Sequence, residues 1–246
     1  MGNPTILEFP TVGALCADVG TRLAAFIHER PDAVLGLATG RTFLGVYEAF
    51  VETAKSRKLS CARLRTYNLD EYLGLPDDSP DSFATYMKAN LFSKLDFDPS
   101  ATHLPNPHAP DLSTECERYE RAIATDGGID LQLLGLGLNG HIGFNEPGSS
   151  FASTTRRVRL TPETRAQNRR DFAGREVPEE ALTMGLATIT RARACWLVVT
   201  GESKAEVLAR CLEQKDERYP GSALIGHPAL TIFADRAALR EIRPQS

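Results

Sequence analysis

The run Ile129-Asp-Leu-Gln-Leu-Leu-Gly-Leu-Gly-Leu-Asn-Gly-His-Ile-Gly-Phe-Asn-Glu-Pro147 decides how this chain is read. Its first part, residues 129–136, has the length and apolarity of a strand buried on both faces, the mark of a parallel sheet. Its second part is a glycine-rich turn carrying one imidazole and one carboxylate, His141 and Glu146. Open parallel sheets keep their chemistry in loops beyond the carboxyl ends of the strands, so both side chains fall where catalysis is expected. Gly135, Gly137 and Gly140 also spell G-x-G-x-x-G, a weak dinucleotide signature when it stands alone. That signature must run straight into a helix and meet an acidic residue about 20 positions later. Gly143, Pro147 and Gly148 interrupt any helix here and residues 156–159 are basic, so no nicotinamide cofactor is expected.

Outward from this stretch, apolar runs alternate with helical patterns from end to end, with no internal repeat. The pattern predicts an α/β fold: a Rossmann-like, open, mostly parallel sheet with helices on both faces. Leu15, Val19, Leu23 and Ile27 predict a helix over 12–28, and residues 33–37 a strand. A helix with Leu44, Tyr47, Phe50 and Val51 on one face follows, then a short strand over 63–68. Further helices are expected from Ser82 to Phe92, over 112–125, around 161–169, around 179–188 and over 203–213. Residues 195–200 and 230–234 read as the last strands.

Length and composition narrow the class. At 246 residues and 42% hydrophobic content the chain can bury a sizeable core, and no low-complexity linker divides it, so residues 1–246 are expected to form one domain. A formal charge of −4 offers no general attraction to nucleic acid or to an anionic membrane. Five widely spaced cysteines without a C-x-x-C pair argue against a disulfide framework or a zinc site and suit a reducing compartment. No secretory signal is recognisable, Ile6 breaks a myristoylation motif after Gly2, and no apolar run approaches a membrane span. A cytoplasmic protein is expected.

Two further loops carry candidate chemistry. Thr39-Gly40-Arg41-Thr42 lies between a buried strand and a helix, where backbone N–H groups and hydroxyls can meet an anion at the helix N-terminus. The same residues also suit an ordinary tight turn with Gly40 at positive φ and Thr42 as a cap. Asp70 ends the strand over 63–68 and is either a carboxylate base on the same rim of the sheet or part of an Asx turn or solvated acidic pair. Convergence favours function: an anion cradle, a carboxylate base and a His–Glu pair are what proton transfer on a small phosphorylated molecule requires.

These segments, together with Leu35-Gly-Leu-Ala-Thr-Gly40, Asn68-Leu-Asp-Glu-Tyr72, Thr164-Arg-Ala-Gln-Asn168, Ala181-Leu-Thr-Met-Gly185 and Ser203-Lys-Ala205, resemble the glucosamine-6-phosphate deaminase family, also called glucosamine-6-phosphate isomerase, over nearly the whole length. The resemblance implies conversion of a phosphorylated amino sugar, glucosamine 6-phosphate, and water into fructose 6-phosphate and ammonia, with no metal or organic cofactor. It implies that His141 assists ring opening, that Asp70 carries a proton from C2 to C1, and that Glu146 hydrogen-bonds and orients His141. It implies a phosphate site made of Thr39, Gly40, Arg41, Thr42, Arg170 and Lys204. For Arg170 and Lys204 the plain alternatives are a solvated basic face and a surface lysine. His28, His103 and His108 carry no such role, the last two lying among prolines in an expected surface loop.

The chain departs from the family pattern at three places. Arg41 stands where many relatives have Gly or Ser, and it is expected to face the phosphate. Asn139 stands where some relatives have an aspartate beside the histidine, which implies a lower His141 pKa than an aspartate would give. Ser149, Ser150 and Arg156 match parts of an interface site that binds an activating acetylated sugar phosphate in hexameric relatives, but Val158 replaces a basic residue. Hyperbolic kinetics and a monomer or small homo-oligomer are therefore expected. The rivals are a galactosamine-6-phosphate deaminase, a 6-phosphogluconolactonase, against which Ile142-Gly-Phe-Asn-Glu146 argues, and a non-catalytic sugar-phosphate sensor.

Overall fold

The computed structural model describes residues 4–242. Its strands are β1 (Thr5–Phe9), β2 (Val34–Leu37), β3 (Arg65–Asn68), β4 (Asp70–Tyr72), β5 (Thr102–His103), β6 (Leu131–Gly135), β7 (Arg156–Arg159), β8 (Glu180–Thr183), β9 (Ala194–Val199) and β10 (Leu230–Asp235). Its α-helices are α1 (Val12–Glu29), α2 (Arg41–Ser56), α3 (Phe83–Met87), α4 (Leu112–Thr125), α5 (Pro162–Asn168), α6 (Leu186–Thr190), α7 (Ala205–Glu213) and α8 (Arg236–Leu239).

Seven strands form one wholly parallel sheet in the order β1-β10-β9-β6-β2-β3-β5. The strand from the opening stretch, β6, lies at its centre, and Leu131, Leu133 and Leu134 are fully buried there. The chain leaves β2 toward β3 and β5, then returns to the other side of β2 as β6. This reversal of strand order opens a crevice beyond the carboxyl ends of β2 and β6, where open α/β sheets bind their ligands.

Helix packing fixes the loops at that crevice. Thr11 caps α1, its hydroxyl accepting from the Ala14 N–H at 3.1 Å, and Leu15, Val19, Leu23 and Ile27 form the buried stripe. At Gly20 the backbones of α1 and α2 touch: a Cβ there would sit 2.6 Å from the Phe50 nitrogen. On α4, Tyr119 meets Tyr67 edge-on at 5.5 Å and donates its hydroxyl to the Asn68 carbonyl at 2.7 Å, fixing the end of β3.

The expected helix around 179–188 is corrected. Residues 180–183 are strand β8, paired antiparallel with β4 on one side and β7 on the other, and only 186–190 are helical. Helix propensity at Glu-Ala-Leu-Thr yields to pairing on both edges and to burial of Ala181, Leu182 and Thr183. Gly185 then passes so close to the Ser153 carbonyl that a Cβ would lie 2.3 Å from its oxygen. The basic region at 156–159 is an edge strand whose Arg157 pairs with Glu180 of the neighbouring strand and Arg159 with Glu179 just before it. Strand β1 was also outside the sequence reading; it joins the sheet edge through residues mostly exposed or half-buried, which leaves little hydrophobic signal. His103 belongs not to a surface loop but to β5, stacked on Tyr67 at 4.7 Å.

Candidate active site

After β2, Gly40 turns the chain at φ 106° and begins α2 with no side-chain cap, so the first-turn N–H groups face the crevice without a side-chain acceptor. Thr42 Oγ1 lies 3.3 Å from Thr200 Oγ1, tying this loop to the end of β9, and the Tyr86 hydroxyl donates to the Gly40 carbonyl at 2.8 Å. Lys204, in the 3-10 turn before α7, is half-buried facing the same loop. Burial, and then the nearby Arg41 charge, bring its ammonium down to about 8. Arg41 and Arg170 are more exposed and line the same cavity, and Arg41 Nε lies 3.8 Å from Asp171 Oδ1.

After β6, Gly137 and Gly140 bend the chain so that His141 folds back over it. The Gly137 N–H donates to the His141 carbonyl at 2.8 Å, and the imidazole lies where a Gly137 Cβ would be, 2.2 Å from Cε1. Glycine here leaves room for the ring. His141 Nδ1 lies 2.7 Å from Asn139 Oδ1, while Asn139 Nδ2 donates to Glu146 Oε2 at 2.8 Å. Glu146 itself is 3.8 Å from Nδ1. The expected direct Glu146–His141 hydrogen bond is thus corrected: an amide stands between them. The order of donors follows from chemistry. An ionised Glu146 only accepts, so the Asn139 amide must present its NH₂ to Glu146 and its oxygen to His141. His141 then carries its proton on Nδ1 and keeps a bare lone pair on Nε2. Burial holds the imidazole down to about 4, with the Glu146 charge opposing and Lys204 adding to the shift.

Asp70 opens β4 and is 5% exposed. It is neither an Asx turn nor a solvated pair: its carboxylate has no hydrogen-bond partner among the described residues. Burial, and then the Glu71 charge, hold it well above the usual carboxylate range. Glu71 faces away and accepts the N–H groups of Tyr72, Phe83 and Ala84 at 2.8, 2.9 and 2.8 Å, capping α3. Gly143, at φ 57°, passes beside Asp70 so closely that a Cβ would lie 3.3 Å from Oδ2. The loop carrying His141 therefore packs directly on the Asp70 carboxylate.

One cavity of about 1140 Å³ gathers Thr39, Gly40, Arg41, Thr42, Asp70, His141, Arg170 and Lys204. Asn139 and Glu146 are not on its wall; they support His141 from behind. Sequence reasoning did not single out Tyr72, Phe144, Asn168 or Asp171, which also line it. Tyr72 packs against Phe83, Phe144 and Phe172 at 4.7, 5.2 and 5.2 Å and accepts from Asn168 Nδ2 at 2.9 Å. Tyr72, Phe144 and Asn168 each lie in a quoted segment, Asn68–Tyr72, 129–147 and Thr164–Asn168; for Asp171 the signal lay only in the tertiary contacts. Arg156 does not reach the cavity: it donates to Asn145 Oδ1 at 2.8 Å and to Ser149 Oγ at 3.1 Å. Among the described residues, no group of three or more His, Cys, Asp or Glu side chains is placed to hold a metal ion, and no helix is long and apolar enough to cross a membrane.

Comparison with known proteins identifies the family. Residues 10–232 match the family of glucosamine-6-phosphate isomerases and 6-phosphogluconolactonases. The chain is 51% identical to a glucosamine-6-phosphate deaminase of Rhodopirellula baltica, with 97% of each chain aligned. It is 44% identical to glucosamine-6-phosphate deaminase 1 of Bacillus subtilis, over 97% of this chain and 99% of the relative. A solved structure of a monomeric glucosamine-6-phosphate deaminase superposes with a TM-score of 0.91 at 42% identity, covering 96% of this chain and 99% of the other. With the fold, the three rim loops and these likenesses in agreement, the chain belongs to the glucosamine-6-phosphate isomerase/6-phosphogluconolactonase family.

Proposed function

We propose that this protein is a glucosamine-6-phosphate deaminase, converting glucosamine 6-phosphate and water into fructose 6-phosphate and ammonia. The observation that carries it is that a buried carboxylate, a neutral imidazole, several cations and an uncapped helix N-terminus line one and the same cavity. The phosphate is held by the Thr39–Thr42 loop, Lys204, Arg170 and Arg41, combining first-turn N–H groups with a point charge and planar guanidinium forks.

His141 Nε2 moves a proton between the anomeric hydroxyl and the ring oxygen, which opens the pyranose. Asp70 then removes the C2 proton of the open aldehyde, leaving an enolamine, and returns that proton at C1. The resulting C2 imine is hydrolysed by water to the ketose and ammonia. A base with a raised pKa suits this step, since it holds the proton between removal and return. Ile142-Gly-Phe-Asn-Glu146 supports deamination over lactone hydrolysis, as Asn139 and Glu146 are spent on orienting His141.

We take residues 1–246 as one domain, because β4 of the small sheet supplies Asp70 to the same cavity that the loops of the large sheet line. We also propose a monomer or small homo-oligomer, supported by the monomeric relative, in a reducing cytoplasm that suits five free, buried cysteines.

The test is direct. Purified protein is given glucosamine 6-phosphate, galactosamine 6-phosphate or 6-phosphogluconolactone, and ammonia, ketose phosphate and lactone loss are followed. Ammonia with fructose 6-phosphate from the first alone is the expected result. Lactone hydrolysis without ammonia, or binding without turnover, would overturn the proposal.

A further inference from the structure

Arg41 occupies a position with no local reason for a cation. It is the first residue of α2, where the helix dipole disfavours positive charge, and its own helix gives it no acidic first-turn neighbour. Its guanidinium lies instead beside Asp171, Nε to Oδ1 3.8 Å, with the two side chains 58% and 49% exposed. Asp171 is not a free-swinging partner: its N–H donates to the Asn168 carbonyl at 2.9 Å and the next residue, Phe172, is buried against Tyr72. Both ends of the pair line the cavity that contains Lys204 and the uncapped start of α2. Lys204 also feels the Arg41 charge, so both cations share one small volume.

We propose that Arg41 and Asp171 form an exchangeable pair, in which Asp171 competes with the phosphate of the substrate for the Arg41 guanidinium and so sets the affinity of the phosphate site. The proposal rests on the assignment of the Thr39–Thr42 loop and Lys204 to the phosphate. Two features make the exchange cheap. A long, half-exposed ion pair is weak, so releasing Asp171 costs little. A phosphate dianion carries twice the charge of the carboxylate and offers a bidentate oxygen pair beside helix N–H groups. Asp171 thus lowers affinity in proportion to its hold on Arg41, and its effect must vanish when Arg41 loses its charge.

A double-mutant cycle reads this. Binding of inorganic phosphate is measured by titration calorimetry on the native protein, Asp171→Asn, Arg41→Gln and the double variant, with thermal melts confirming that all four are folded. Asp171→Asn should tighten phosphate by about two- to fivefold, Arg41→Gln should weaken it by a similar factor, and Asp171→Asn should change little in the Arg41→Gln background. Equal tightening in both backgrounds would reduce Asp171 to a general field effect and overturn the exchange. No effect of Asp171→Asn, or phosphate binding insensitive to Arg41, would overturn it as well. The cycle uses binding alone, so its failure is distinguishable from failure to release ammonia; KM for glucosamine 6-phosphate should follow the same pattern.

Discussion

His141 Nδ1 is hydrogen-bonded to Asn139, at 2.7 Å from Oδ1, and not to a carboxylate. An uncharged acceptor orients the ring without favouring the imidazolium, so burial prevails and the ring stays neutral to about 4. In Asn139→Asp a second carboxylate joins Glu146 behind the ring. The expected result is a His141 pKa well above that of the native protein, followed by NMR titration of the imidazole carbons. An unchanged titration would refute the relay.

Lys204 sets the alkaline side of the pH profile. Its ammonium titrates near 8 in the free protein, and only the protonated form attracts phosphate. As pH rises through about 8, kcat/KM should fall while kcat holds, because bound phosphate dianion keeps Lys204 protonated in the complex. In Arg41→Gln the second cause of the depression is removed, and this limb should move upward in pH. Profiles of kcat and kcat/KM that fall together would contradict it.

Replacing Asp70 by Asn should keep sugar-phosphate binding and reduce turnover by about 10²–10⁴-fold. It should also stabilise the protein. Because the folded-state pKa of Asp70 is raised, native protein binds a proton that the unfolded chain has lost, and stability declines as pH climbs from the ordinary carboxylate value through the raised one. Asp70→Asn removes that decline. Its melting temperature should exceed the native one by on the order of a few degrees at pH 8 and converge with it near pH 4. A melting difference independent of pH would show that Asp70 is not buried as a costly charge.

Lys58 follows the end of α2 at φ 51°, a left-handed conformation that suits glycine. Lys58→Gly should stabilise the fold by about 0.5–1 kcal/mol, read as a rise in denaturant midpoint. Lys58 lies beyond the opposite end of α2 from Arg41, and kcat should not change.

Arg156 is already engaged with Asn145 and Ser149, bracing the loop that carries His141, and Val158 packs on the small aromatic core. Substrate saturation should therefore be hyperbolic, with no activation by N-acetylglucosamine 6-phosphate. A sigmoidal curve abolished by that compound would contradict this.

The inner strands of the large sheet were legible from patterning because they are buried, whereas its edge strands β1 and β5, exposed or half-buried, were not. Apolar runs such as 129–136 cannot be mistaken for surface. The small sheet was not legible. Strand β7 consists of Arg-Arg-Val-Arg with alternate residues exposed, and β8 of residues that favour helix as readily as strand, so only their mutual pairing and that of β4 define them. Residues 70–72 were read as a loop for the same reason. A three-residue strand carries no periodicity of its own.

By itself the sequence determined the fold class, the three loops that meet at the sheet rim, and the residue types carried there: Asp70, His141 and the Thr39–Thr42 turn, with Lys204 entering only through the family resemblance. Local patterning suffices because burial and turn chemistry act over a few residues. Tertiary structure alone decided that Asn139 stands between Glu146 and His141, that Asp70 lies buried without a hydrogen-bond partner among the described residues, and that Arg41 meets Asp171. Such relationships depend on distances of a few ångströms between side chains far apart in the chain or folded back within a turn, and hydrogen bonding and desolvation change sharply over that range.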